Sequence, residues 1–259
     1  MPRSHGSFVW HELMTSDIDA AQAFYEKAVG WTGKSAGMTG MDYRIFSAGE
    51  TMVAGLMSIP EEAAKMGVPP NWTGYVGVAD VDASTAKVKA LGGKVYKEPT
   101  DIPGVGRFSV VADPQGAVFQ LFKTVTEPES YPAPDTPGLV GWNELYAVDI
   151  EKVFPFYAEI CGWKKLDAID MGPMGTYQIY GNADQALGGM MNKPAHMPMA
   201  CWLFYVNTAD VDAALARVAG AKGKLVNGPM QVPGGHWIAQ ATDPQGAFFA
   251  VVGQRPNAA

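Results

Sequence analysis

The chain has 259 residues, of which 47% are hydrophobic and 17% are charged, a balance typical of a soluble globular protein. Its formal net charge is −7 without a block of Lys and Arg, so no surface for nucleic acid or an anionic membrane is expected. No apolar run approaches the roughly 18 residues of a membrane span, and Cys161 and Cys201 lack the CxxC spacing of a thiolate metal site, so we expect a cytoplasmic protein without a disulfide framework.

The first half of the chain predicts strands and helices in alternation. Asp17 and Asp80 each have a short acceptor side chain suited to capping a helix, and Gly30 is suited to ending the first helix. Asp113 to Gly116 predicts a turn before the last strand. The predicted strands lie at 8–14, 43–48, 51–58, 72–78, 94–97, 106–112 and 117–122, the helices at 18–29 and 81–91, and a loop at 59–71.

The stretch 124–138 contains four prolines and no amphipathic period, so we interpret it as a linker. After it, the plan of the first half returns. Strands are predicted at 140–146 and 202–207, a hairpin at 176–192, helices at 149–161 and 211–219, and closing strands around 243–246. We therefore predict one module at 1–123 and a second at 139–259.

The two halves are copies of each other. Nine of the 22 positions from Trp10 to Trp31 are identical in the stretch from Trp142 to Trp163, and the strings ADVDA and DPQGA each occur once per half. A duplication of about 120 residues predicts two similar folding units, each long enough for its own core. Each module consists of two βαβββ units, which indicates an α+β fold.

Paired βαβββ units, an Asp-capped helix ending in FY and GW, and a DPQG turn before the last strand resemble the vicinal oxygen chelate superfamily, which includes glyoxalase I, bleomycin-resistance proteins and extradiol dioxygenases. The resemblance covers both halves and is strongest to two-module bacterial glyoxalase-like proteins. It implies that each module curls its strands into a cupped, incomplete β-barrel flanked by helices. It does not fix the function, because this fold hosts enzymes and binding proteins.

The resemblance also implies where a metal would be held, by His and Glu side chains on strands inside each cup. The corresponding positions are Trp10, Gly74 and Gln120 in the first module, Trp142, Phe204 and Ala250 in the second, and the surroundings of Gly55 and Gly189. None of these residues is a His or a carboxylate, so we predict no metal site in either cup and no cofactor. The purified protein should carry no stoichiometric transition metal.

Glu12 and Glu144 are the candidate catalytic residues. Each lies two residues after a Trp on a strand, so it shares that face and would point into the cup. Burial against Trp would raise its pKa and suit it to act as a general base. The alternative is a structural role, in which each Glu is hydrogen-bonded to the backbone or to a Trp N–H.

Aromatic and methionine side chains near the same strands predict an apolar ligand site, although some belong to the ordinary core. The ligand-binding candidates of this kind are Trp10, Tyr43, Met57 and Trp72 in the first module and Trp142, Tyr177, Met191 and Trp202 in the second. Gln120, Arg107 and His236 are further candidates, the last two at the rim, where Arg107 could bind an anion. His11, His5 and His196 are not expected to take part.

The leading interpretation is a metal-independent protein that binds a small apolar or aromatic molecule in its cups. The alternative is a lyase, isomerase or dioxygenase that uses Glu12 or Glu144 as general base. A third hypothesis is an interaction protein in which one cup, filled by Phe204, no longer binds. The expected partner is a small molecule, not nucleic acid or membrane; the modules are expected to pack on each other, and a homo-oligomer is left open.

Overall fold

A computed structural model of the protein describes residues 4–127, 132–182 and 185–256. Residues 128–131 of the predicted linker lie outside the described residues. Among the described residues, no helix is both long and apolar enough to cross a membrane.

In the described residues, the first repeat contains eight strands and three helices. Its strands are Phe8–Thr15 (β1), Thr32–Ser35 (β2), Tyr43–Ala48 (β3), Thr51–Ser58 (β4), Asn71–Gly77 (β5), Lys94–Ile102 (β6), Gly106–Ala112 (β7) and Val118–Thr124 (β8). Its helices are Ile18–Val29 (α1), Glu61–Lys65 (α2) and Val81–Ala90 (α3). The sequence did not predict β2 or α2, because both are short, largely polar segments without an apolar period.

The second repeat follows the same plan. Its strands are Val140–Ala147 (β9), Lys164–Asp170 (β10), Thr176–Asn182 (β11), Gln185–Asn192 (β12), Cys201–Thr208 (β13), Lys224–Gln231 (β14), Trp237–Thr242 (β15) and Phe248–Gly253 (β16). Its helices are Ile150–Cys161 (α4) and Val211–Gly220 (α5), with one 3-10 turn at Gly172–Met174.

The described part of the chain forms two mixed sheets of eight strands each. The strand order is β2-β3-β4-β1-β5-β8-β7-β6 in one and β10-β11-β12-β9-β13-β16-β15-β14 in the other. Within the described residues each order has two different end strands, so neither sheet closes into a barrel. The predicted α+β class and the paired βαβββ units are confirmed.

Helix boundaries follow the residues that predicted them. Asp17 accepts a hydrogen bond from the Ala20 amide at the start of α1, and Asp149 caps α4 in the same way. Gly30 and Gly162 end these helices at φ +80° and +73°, a left-handed conformation that glycine adopts without a steric penalty.

The chain forms two compact units, and each combines segments of both repeats. The first comprises residues 4–10, 73–127 and 142–202, and the second residues 11–72, 132–141 and 203–256, leaving out those not described. The domain boundaries 1–123, 124–138 and 139–259 follow the sequence repeat and remain a prediction.

In the first unit, helix α4 of the second repeat packs on strand β8 of the first. The ring of Tyr157 lies 5.5 Å from that of Phe119, and its hydroxyl donates a 2.9 Å hydrogen bond to Asp113. The same helix contacts α3. A core assembled in this way needs residues from both halves of the sequence.

In the second unit the roles of the repeats are exchanged. Helix α1 of the first repeat packs on α5, the ring of Phe24 lies 5.7 Å from Phe249, and the hydroxyl of Tyr25 donates to Asp243 over 3.3 Å. The indole of Trp72 donates a 2.8 Å hydrogen bond to the hydroxyl of Tyr25.

Because each compact unit combines segments of both repeats, the structure predicts how the separated repeats behave. We expect chain fragments 1–127 and 132–259 to lack cooperative thermal unfolding when alone, because each has lost half of both cores, and to recover a cooperative transition when mixed. Circular dichroism melts of each fragment, the mixture and the uncut chain test this. A fragment that melts alone at the temperature of the uncut chain would show that one repeat is sufficient for a core.

Stability is also expected to depend on the pH through Asp113 and Asp243. Burial raises the pKa of both carboxyls above the ordinary value of 3.8. A carboxyl that holds its proton more tightly when folded stabilises the fold below its unfolded pKa, and this contribution is lost as the pH rises through the folded pKa.

The double variant Asp113→Asn, Asp243→Asn removes this titration while keeping an oxygen acceptor for the turn. From pH 4 to pH 7, we expect the free energy of unfolding of the parent protein to fall relative to that of the variant. Denaturant unfolding across this range measures the difference. Parallel curves, or a relative gain for the parent, would contradict the expectation.

Candidate functional site

Strand β9 places Trp142, Glu144 and Tyr146 on one face, since side chains two apart on a strand point the same way. The parallel register with β12 sets Glu144 opposite Gly189 and Tyr146 opposite Met191. All of these residues belong to the first compact unit. The side chains of Glu144, Tyr146 and Met191 are buried, whereas Trp142 is half-buried.

A chain of hydrogen bonds connects three of the predicted residues. The indole N–H of Trp142 donates to the hydroxyl of Tyr177 over 2.8 Å, and that hydroxyl donates to Oε2 of Glu144 over 2.8 Å. We call Trp142, Glu144 and Tyr177 the Glu144 cluster. Burial, and then the charge of Glu144, hold the pKa of Tyr177 well above its ordinary value of 10.0. Its phenol therefore stays protonated and serves as a donor to the carboxylate at neutral pH.

Gly189 gives Tyr177 its place. A Cβ added at Gly189 would overlap the ring and hydroxyl of Tyr177, so the ring lies directly over the glycine. This is one of the positions where the resemblance implied a metal ligand. The space that a ligating side chain would need is occupied by the tyrosine ring.

Cys201 lies close to the cluster. Burial, and then the charge of Glu144, raise the pKa of its thiol to about 11. The thiol contacts Sδ of Met197 at 3.7 Å. At neutral pH the group is a thiol, not the thiolate that a nucleophile or metal ligand requires.

The first repeat has the corresponding residues in the same register. Glu12 is buried and lies opposite Gly55, while Tyr43 lies opposite Met57. Trp10 precedes Glu12 on β1, as Trp142 precedes Glu144 on β9.

Trp72 and Trp202 lie among residues that pack on helices. Trp72 meets Tyr25 of α1 edge-on at 5.2 Å, and Trp202 meets Tyr157 of α4 edge-on at 5.6 Å. In the register of β5 and β8, Gln120 lies opposite Tyr75, so Gly74 faces the other way. Gly74 and Gln120 therefore lie on opposite faces and cannot both belong to one ligand site. Sequence spacing also left out Tyr75 and its counterpart Tyr205.

The polar candidates at the rim have other surroundings. The guanidinium of Arg107 donates to both carboxylate oxygens of Asp82 over 2.7 and 2.9 Å and to Asp101 over 2.8 Å. His236 is exposed in the loop before β15. His11 and Phe204, both buried, meet edge-on at 4.8 Å. An anion at Arg107 would have to compete with two carboxylates.

The residues present do not fit the divalent metal that the resemblance implies. In the part of the chain that the structure describes, no group of three or more His, Cys, Asp or Glu side chains could hold an ion. The hydroxyl of Tyr177 is already directed to Glu144, and Trp142 offers no lone pair.

Sequence comparison identifies the family. The profile of the Glyoxalase/Bleomycin resistance protein/Dioxygenase superfamily matches residues 7–121 and 139–251. The chain belongs to this superfamily. The predicted resemblance is thereby confirmed, as is the tandem duplication.

Two curated relatives illustrate the range of the superfamily. The chain is 32% identical to the anthracycline biosynthesis protein DauV of Streptomyces sp. strain C5, over 95% of this chain and 93% of that protein. It is 47% identical to the putative glyoxylase CFP32 of Mycobacterium tuberculosis over 119 residues, which are 46% of this chain and 44% of that protein.

Solved structures share the fold at low sequence identity. The Mn(II)-bound glyoxalase from Novosphingobium aromaticivorans superposes with a TM-score of 0.67 at 18% identity, covering 97% of this chain and 83% of that one. The homoprotocatechuate 2,3-dioxygenase of Brevibacterium fuscum gives 0.66 at 14% identity, covering 98% and 83%. At this identity the likeness establishes the fold alone.

The packing of Tyr177 on Gly189 can be tested by substitution. We expect Gly189→Ala to displace the ring, break the hydrogen bond to Glu144 and lower the free energy of unfolding by about 1–3 kcal/mol. In the double variant with Tyr177→Ala, the added methyl should cost much less, because the ring it meets is gone.

Gly220→Ala is the matched control, because the nearest atom to its added Cβ lies at 3.6 Å, an ordinary contact. Denaturant unfolding of the four proteins and the parent gives the energies. Additive effects of Gly189→Ala and Tyr177→Ala would contradict the proposed contact.

Proposed function

We propose that the protein is a metal-independent binder of a small apolar or aromatic molecule, and that the ligand lies against the Glu144 cluster. The observation that carries this proposal is the hydrogen-bond chain from Trp142 through Tyr177 to Glu144. It fixes two half-buried aromatic rings on a sheet face beside a buried carboxylate. Apolar walls with few oriented polar groups are typical of small-molecule sites.

The surroundings of the cluster support an aromatic ligand. Tyr146 and Met191 lie opposite each other on the same face, and methionine adapts its shape to a planar partner. The full-length relative DauV is named for anthracycline biosynthesis, which agrees with an aromatic small molecule as ligand. A cytoplasmic location remains a prediction.

The second candidate function is catalysis with Glu144 or Glu12 as general base. Both carboxylates are buried, and burial is one means by which enzymes tune a Glu side chain to act as a general base, which favours this function. The relative named as a putative glyoxylase agrees with a dicarbonyl substrate. The hydrogen bond that Tyr177 donates to Glu144 favours binding instead, because it already engages one oxygen of this carboxylate.

Metal independence predicts the result of elemental analysis. Protein purified from its own source and dialysed should contain far less than one Zn, Ni, Mn or Fe per chain, and chelator treatment should leave ligand affinity unchanged. About one metal per chain that is lost with chelator, together with ligand binding, would contradict this expectation.

Trp142→Ala tests the site itself. Removing the indole should weaken binding by about 1–3 kcal/mol, roughly ten- to a hundredfold, with the fold intact. Calorimetric titration with aromatic and dicarbonyl compounds measures affinity and stoichiometry, and Trp10→Ala tests the copy in the first repeat. Trp237→Ala is the control, since its ring packs under Arg255. If Trp142→Ala and Trp10→Ala both bind every compound as tightly as the parent, the proposed site is wrong.

Glu144→Gln separates binding from catalysis. The amide keeps the size of the side chain and an oxygen acceptor for Tyr177 but cannot act as a base. A binding protein should keep its affinity within about tenfold, whereas an enzyme that uses this base should lose about 100-fold or more in turnover.

A further inference from the structure

A second face of the first compact unit carries buried polar atoms that lack partners. Gln120 on β8 is 3% exposed and Thr73 on β5 is 2% exposed. Among the described residues, Oε1 of Gln120 and Oγ1 of Thr73 have no hydrogen-bond partner. An unmade hydrogen bond in the protein interior is costly, so two on one face require an explanation.

Strand register brings these two atoms to the same face. Gln120 lies opposite Tyr75 in the parallel pair of β5 and β8, and Thr73 lies two residues before Tyr75, so all three side chains share a face. Diagonal neighbours of this kind are about 7 Å apart, a span that one bound group can bridge.

Apolar side chains lie beside Gln120 and Thr73 on the same face. Val110 of β7 lies opposite Gln120, and Phe108 lies opposite Phe122. The side chains of Val110, Phe108 and Phe122 are half-buried, whereas Gln120 and Thr73 are buried. The ring of Tyr75 lies 6.3 Å from Phe108 and 5.9 Å from Phe122. A planar molecule packed against these apolar side chains would direct one end toward Gln120 and Thr73.

The second repeat lacks these features at the matching positions. Leu203 and Ala250 replace Thr73 and Gln120, and Ile238 replaces Phe108. Gln240 lies opposite Ala250 and donates a 3.0 Å hydrogen bond to the hydroxyl of Tyr205. There the amide has a partner within the protein, and aliphatic side chains stand in place of Thr73, Gln120 and Phe108.

We propose that Thr73, Tyr75, Phe108, Val110, Gln120 and Phe122 form a binding site for a phenol, present in the first repeat alone. A phenolic hydroxyl donates to the amide oxygen of Gln120 and accepts from the hydroxyl of Thr73, which satisfies both atoms. A carboxylate would face the lone pairs of Gln120, and an unsubstituted ring would leave both atoms unpaired. Gln120 is one of the ligand-binding candidates of the first repeat, so the proposal rests on the proposed function for the aromatic class of ligand, but its strands differ from those of the Glu144 cluster.

The test compares 2-naphthol, naphthalene and 2-naphthoate on the full chain. We expect 2-naphthol to bind about tenfold more tightly than naphthalene, the equivalent of one net hydrogen bond, and 2-naphthoate to bind more weakly than either. Gln120→Met and Thr73→Val, which keep the side-chain volume, should abolish the preference for naphthol. Without ligand, each should raise the melting temperature by about 2–4 °C, because it removes an unpaired polar atom.

Gln240→Met is the matched control. It removes an amide that has a partner, so it should lower the melting temperature and leave the preference for naphthol unchanged. If Gln120→Met also lowers the melting temperature, or leaves the preference intact, the amide of Gln120 has a structural role and the proposal is wrong.

The Trp142→Ala variant separates this site from the Glu144 cluster. If it removes naphthol binding while Gln120→Met does not, the ligand lies at the Glu144 cluster and the phenol site is refuted. If Gln120→Met removes the naphthol preference while Trp142→Ala and Trp10→Ala are silent, the phenol site stands and the proposed function at the Glu144 cluster falls.

Discussion

A buried carboxylate in each DPQG turn links the parts of each compact unit. In the first unit, Oδ1 of Asp113 accepts hydrogen bonds from the amides of Gln115 and Ala117, which shape the turn into β8, and Oδ2 accepts from the hydroxyl of Tyr157. The Gln115 side chain meets the start of α4, accepting from the amide of Asp149 and donating to its carbonyl. One acidic side chain thus orients both the final strand of one repeat and a helix of the other. Asp243 and Tyr25 repeat the arrangement in the second unit.

Local sequence signals predicted most elements but not the face that every residue occupies. Strands β3, β4 and β7 have the predicted bounds because turns and apolar residues mark both their ends. The polar segments KKLDAID and TGKS of β10 and β2 were missed, since end strands of a sheet can be exposed and need no apolar alternation. On β5, sequence spacing grouped Gly74 with Gln120, but the register sets Tyr75 opposite Gln120 and turns Gly74 to the other face.

The repeat singled out Glu144, Trp142 and Tyr177, but their hydrogen-bond chain depends on the registers of three strands, which spacing does not determine. Gly189 was the available signal. A glycine inside a strand marks a close approach of another group, and here that group is the ring of Tyr177. Sequence spacing also did not predict the partners of Trp72. The two faces of its strand have similar apolar content, and only the helix that packs on one of them, in contact with Trp72 through Tyr25, distinguishes the two faces.

Comparison of the two repeats separates what the fold requires from what one repeat does alone. The Trp, Glu and Tyr of the Glu144 cluster and the neighbouring Gly and Met occur in both repeats. So do the Asp of the DPQG turn and the Tyr that donates a hydrogen bond to it. Thr73 and Gln120 do not, and their aliphatic counterparts Leu203 and Ala250 are completely or almost completely buried, so the fold itself does not need polar side chains there. A buried polar atom without a partner destabilises a protein, by about 1–3 kcal/mol. Two such atoms lie in the first repeat, whereas the second repeat folds without them. Folding alone does not explain these two atoms, but a bound group that supplies their hydrogen bonds accounts for both.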